Sequence, residues 1–126
     1  MNEKKSILIC DDEEGVRESL NLILGENYKL DFVTNGNEAL QYLSKANPDL
    51  VIMDIKMPQK NGLEVLKELR QQKPNIKVIM VTGYQSVETA AEASKYGIAE
   101  YITKPFESSL VKETVQKVLR SPNSVT

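Results

Sequence analysis

Asp11 and Asp12, Asp54, Thr82 and Lys104 each lie at the end of a short apolar run, and their side chains suit a hard cation and a phosphoryl group. In an alternating β/α fold, residues that close successive strands meet at one edge of the sheet. Three acids, a hydroxyl and an amine would then converge. Two carboxylates about 4 Å apart repel by about 4 kcal/mol at an effective dielectric of about 20, so three in one crevice call for a cation. Mg²⁺ suits them, because it takes octahedral oxygen coordination from one or two carboxylates, retained waters and a phosphate oxygen. Beside that ion and the Lys104 ammonium, Asp54 would stay ionised and could attack phosphorus, forming an aspartyl phosphate. The same two cations would stabilise charge on the transferring oxygens. The Thr82 hydroxyl could donate to a phosphoryl oxygen once one is present.

Five β-rich runs carry these residues: Ser6–Cys10, Lys29–Val33, 50–53, 77–81 and Glu100–Thr103. Three are nearly continuous apolar stretches, as in strands covered on both faces. Helical spacing follows each run. The inward stripes are Val16, Leu20, Ile23 and Leu24; Ala39, Leu40 and Leu43; Leu63, Leu66 and Leu69; and, last, Val111, Val115, Val118 and Leu119. The fourth helix, expected over 86–96, offers only Val87, Ala90, Ala91 and Ser94. Small side chains bury little area, so this helix is expected to be the weakly anchored, mobile one. Five βα units predict an α/β fold, a flavodoxin-like doubly wound parallel sheet of five strands in the order 2-1-3-4-5 with five helices. That order makes the first and third strands neighbours and sets Asp11 and Asp12 facing Asp54.

Composition narrows the function classes. The 126 residues fit one domain, expected over 1–120, with 121–126 a disordered tail or the start of a linker, because Pro122 opposes continuation of the last helix. No apolar run approaches a membrane span, and the polar start does not read as a signal peptide, so the cytoplasm is the expected compartment. Sixteen basic against eighteen acidic residues, with no basic block, disfavour direct nucleic-acid binding. Without histidine there is no imidazole for general base catalysis or zinc. The single cysteine, Cys10, cannot form an internal disulfide and reads as buried filler, as do Met53 and Met80. Glu13 and Glu14 read as favouring a helix N-terminus through its dipole, with kinase docking as the alternative.

In order along the chain stand Asp11-Asp12, Asp54 followed by Met57-Pro58 and Gly62, Thr82-Gly83, and Lys104-Pro105-Phe106. This set resembles the response-regulator receiver domains of two-component signalling, over residues 7 to about 119. Each motif alone is weak, but the ordered set is specific. The resemblance implies roles residue by residue. Asp54 would be the phosphoacceptor, and Asp12, Asp54 and the Lys56 backbone carbonyl would be direct Mg²⁺ ligands, with Asp11 a ligand through water. Lys104 would pair with the phosphoryl group, Thr82 and Tyr101 would be coupled switch residues, and the Lys104–Pro105 bond would be cis. Lys56 and Tyr84 stand where, in this family, side chains influence water's access to the acyl phosphate. Both are long here, so slow hydrolysis is expected.

A sensor histidine kinase or a histidine phosphotransfer protein would be the donor. The face made by the fourth helix, fifth strand and fifth helix would change, and a homodimer could form through it. Such a domain is not an enzyme beyond its own phosphorylation and slow dephosphorylation. Residues 82–90 with 101–106 look most like receivers of sigma-54-dependent transcription activators, which points to transcription as the output. A stand-alone phosphorelay receiver is the alternative. An aspartyl-nucleophile phosphatase of the haloacid dehalogenase class is more remote, since it needs a second acid at the position of Lys56. A flavodoxin would need a hydroxyl-rich phosphate loop where Asp11-Asp12-Glu13-Glu14 stands.

Overall fold

The computed structural model describes residues 4–83 and 87–121. The elements alternate as β1 (Ser6–Cys10), α1 (Glu14–Leu24), β2 (Lys29–Val33), α2 (Gly36–Lys45), β3 (Leu50–Asp54), α3 (Gly62–Gln72), β4 (Val78–Thr82), α4 (Val87–Ala93), β5 (Glu100–Thr103) and α5 (Ser108–Arg120). The strands form one parallel sheet in the order β2-β1-β3-β4-β5, as the alternation predicts. The continuous apolar runs become the central strands: every residue of β3 and β4 is buried, whereas edge strand β2 is largely exposed.

Alternate strand residues face opposite ways, which splits the core in two. Ile7, Ile9, Ile52, Ile79 and Val81 pack under α1 and α5 with Leu20, Leu24, Val111, Val115 and Val118. Leu8, Cys10, Val51, Met53 and Met80 pack under α2 and α3 with Ala39, Leu43, Leu63, Leu66 and Leu69. Burial, then the neighbouring Asp11 charge, pushes the Cys10 thiol well above the usual range, so it is inert filler.

Local signals set the helix starts. Asn35 accepts from the Glu38 N–H at 2.9 Å, and Asn61 and Glu64 form a reciprocal capping box at the start of α3. Gly62 is there for close approach, since a Cβ on it would lie 2.3 Å from the Asp54 carbonyl oxygen. One residue of β3 and a one-residue shift of β4 differ from the expected runs: Asp54 and Thr82 are the last residues of their strands rather than the next ones on.

The larger correction concerns α4. It has seven residues, followed by a 3-10 turn at Ser94–Tyr96. Ala91 and Ser94, expected to face in, are exposed, and Ala93 is buried instead. The turn is fixed from outside, for the Arg70 guanidinium of α3 donates to the carbonyls of Tyr96 at 2.8 Å and Gly97 at 2.9 Å. The Ser94 hydroxyl folds back onto the Ala91 carbonyl at 2.6 Å, which keeps both on the solvent side. The Val87 and Ala90 side chains, Ser86, Tyr84 and the expected tail beyond Ser121 lie outside the described residues.

Candidate functional site

The register of the sheet assembles the site. Cys10 is level with Met53, so the next residues along, Asp11 and Asp54, sit side by side. Asp54 is level with Val81, and Thr82 with Thr103, which brings Lys104 around the same edge. Asp11, Asp12 and Asp54 each offer a carboxylate oxygen, and these oxygens lie within 4.8 Å of one another. Asp11 and Asp54 are buried, and Asp12 is exposed. The three fit a hard divalent cation: all donors are carboxylate oxygens, one side stays open to solvent, and among the described residues no histidine or cysteine joins the group.

The Lys104 Nζ lies 3.0 Å from Asp54 Oδ2 and 3.0 Å from Asp11 Oδ2. A third carboxylate, Glu13 Oε1, reaches it at 2.7 Å. Burial pulls the ammonium down, but the hydrogen bonds it donates to the Glu13, Asp11 and Asp54 carboxylates outweigh it, so Lys104 is charged throughout the working pH range. Asp54 is pushed above the usual carboxylate range by burial first and by the Asp11 charge second, with Lys104 and the Lys56 N–H, 3.3 Å from Oδ1, pulling back. Asp11 is raised too, by burial, against the Glu13 N–H at 2.9 Å and Lys104. The cluster therefore carries more negative charge than one lysine neutralises, and added positive charge would settle it.

The predicted residues are thus gathered at one edge. Thr82 is fully buried, its hydroxyl donating to the Gly83 carbonyl at 3.2 Å. The Lys56 side chain is exposed beside Asp54, and Tyr101 is 48% exposed on β5. The Lys104–Pro105 peptide is cis. Glu13 stands at the N-cap of α1, at the helix start where the sequence sets it, but its side chain makes no capping bond and accepts from Lys104, a contact the sequence did not show. The Glu13 N–H itself donates to Asp11 Oδ1.

This edge of a five-stranded doubly wound sheet, with its acid cluster and lysine, defines a class, and the comparisons agree with it. The response regulator receiver domain family matches residues 7–116, and the chain belongs to that family. It is 38% identical over 120 residues to Sporulation initiation phosphotransferase F of Bacillus subtilis, covering 94% of this chain and 95% of that protein. It is also 38% identical over 115 residues to Regulatory protein AtoC of Escherichia coli, where 90% of this chain spans only 25% of the relative. Among solved structures, a response regulator from Chloroflexus aurantiacus superposes with a TM-score of 0.88 at 30% identity, covering 94% of this chain and 100% of that one. The chain is accordingly a signalling domain of two-component systems, a class that is phosphorylated on aspartate.

Proposed function

We propose that this receiver takes a phosphoryl group onto Asp54 from a sensor histidine kinase or a histidine phosphotransfer protein and uses it to alter the face formed by α4, β5 and α5. The single observation that carries this reading is Asp54 itself: a buried carboxylate at the end of the central strand, 3.0 Å from an ammonium and flanked by two further acids. Asp12, Asp54 and the Lys56 carbonyl would hold Mg²⁺, with Asp11 reaching it through water. When bound, the ion supplies positive charge for the transferring oxygens.

The rest is the work of this chain's side chains. An Asp54 oxygen attacks phosphorus, and the bond to the donor breaks with its electron pair leaving on the donor. Lys104 holds an equatorial oxygen of the transferred group. Thr82 exchanges its Gly83 contact for a phosphoryl oxygen, and Tyr101 leaves solvent for the space that Thr82 vacates. That differential contact is what shifts the population. Autophosphorylation from a small donor and slow self-dephosphorylation are the only chemistry assigned, and Lys56 and Tyr84 slow the latter by hindering water. The cytoplasm, a single domain over 1–120 and a linker or tail from 121 complete the reading.

Resemblance to the receivers of sigma-54-dependent activators supports transcription as the output, through a homodimer on the α4–β5–α5 face, where Tyr101 and Leu110 are each 48% exposed. A stand-alone relay receiver is the second reading, supported by the 38% identity to the Bacillus phosphotransferase. Acetyl phosphate with magnesium, followed by intact mass and size-exclusion chromatography, tests both. A gain of one phosphoryl group is expected in the wild type and none in Asp54→Asn, and an equal gain in the variant would sink the assignment. A shift to dimer selects transcription, while a phosphorylated monomer selects the relay. Faster loss of the added mass in Lys56→Ala and Tyr84→Ala is the expected sign of water exclusion.

A further inference from the structure

We propose that Glu13 is a placeholder for the phosphoryl group: in the unphosphorylated chain its carboxylate occupies one donor of Lys104, and it yields that donor when Asp54 is phosphorylated. This rests on the reading of Asp54 as acceptor. An ammonium has three N–H groups to give. Three carboxylate oxygens already surround Lys104, from Glu13 at 2.7 Å and from Asp11 and Asp54 at 3.0 Å each. The phosphoryl oxygens therefore arrive at an ammonium already shared among carboxylates and compete with them for it.

The three differ in how easily they leave. Asp54 exchanges its own contact for an oxygen of the group it carries, and that multiply charged group brings further oxygens toward the same ammonium. The Asp11 side chain is 3% exposed and pinned by the Glu13 N–H, so it has nowhere to go. The Glu13 side chain is 60% exposed and makes no capping bond to its own helix, so water receives its carboxylate at little cost. Glu13 is thus the displaced partner. Its departure moves a negative charge at the mouth of a groove of about 480 Å³ that Val16, Ser19, Pro105 and Phe106 line.

Acetyl phosphate is the probe: the bond formed joins an Asp54 oxygen to phosphorus, and the bond broken is that to acetate, which departs with the electron pair. Glu13→Gln weakens the competitor and is expected to lower KM for acetyl phosphate roughly two- to fivefold, the range a partly exposed ion pair commands, with kcat unchanged because Asp54 and Lys104 remain. Glu13→Asp keeps the charge but is one methylene too short to reach Lys104, so it should follow the Gln variant. In metal-free protein the Lys104 side-chain ¹⁵N signal should show slowed ammonium exchange in the wild type and faster exchange in both variants, a readout independent of any transfer. An unchanged KM in Glu13→Gln, a wild-type KM in Glu13→Asp, or an unchanged Lys104 signal each overturns the placeholder while leaving the acceptor reading intact. A wild type that accepts no phosphoryl group overturns the acceptor reading and the placeholder with it.

Discussion

Helices α3 and α4 pack on the same face of one sheet and are held there by different forces. In α3, a capping box fixes the first turn, and Leu63, Val65, Leu66 and Leu69 are buried against β1, β3 and β4. In α4, Ala93 is the one buried residue among the described side chains, and the helix is tied through its C-terminal turn. There Arg70 donates to two carbonyls, and the Lys67 ammonium lies 5.6 Å from the Tyr96 ring centroid. Both anchors are borrowed from α3. An apolar interface loses energy as soon as it is opened, whereas a tether at one end lets the rest of a helix swing without emptying the core. Among the described residues, α4 thus contributes less to the core than α3 and depends more on its C-terminal turn.

The contrast can be broken most severely through α3. Leu66 is fully buried, and Leu66→Ala should cost about 2–5 kcal/mol of global stability, read as a lowered urea midpoint with the slope preserved. Arg70→Ala should act locally: losing charged hydrogen bonds to Tyr96 and Gly97 is worth about 1.5–3 kcal/mol, seen as faster amide exchange over 94–98 with β1 and β3 still protected. Equal protection of α3 and α4 in the wild type, or no local change in the Arg70 variant, would erase the distinction.

The smallest effect concerns the edge where α3 begins. Because burial and Asp11 raise the folded pKa of Asp54 above its unfolded value, ionising this group is costlier in the folded state. Its contribution to metal-free stability is present below the ordinary carboxylate range and is lost as pH rises through that range to the raised value. Asp11, Asp12, Glu13 and Lys104 are the charged groups around it. Asp54→Asn should flatten that slope and stabilise the metal-free domain at neutral pH by about 1 kcal/mol or less, measured by melting across pH.

The sheet order and the acid cluster were legible in the chain because each site residue terminates an apolar run and parallel topology stacks such ends. Three things were not. Glu13 followed two aspartates at a helix start, where the dipole already accounts for an acid, and its partner lies 91 residues on. Arg70 belongs to no motif in the sequence, and only the fold puts the α4 turn within its reach. The facing of α4 was misjudged because a run of alanines and serine has little apolar contrast to set its rotation, which leaves the decision to the Arg70 tether. Gly62 was recognised by motif, but its cause, the Asp54 carbonyl 2.3 Å from where a Cβ would stand, needed coordinates.

The span between Asp11 and Lys104 has a consequence for how the molecule is made. Chains emerge from the ribosome N-terminus first, so all three aspartates are outside well before β5 and its lysine. The strands that gather these acids are thus made before the ammonium that offsets them, and the site is complete only once Lys104 joins it. Cutting the chain between α4 and β5 would divide the same site between two fragments of unlike charge, and their reunion could be scored by the return of the Lys104 ion pairs with Asp11, Glu13 and Asp54.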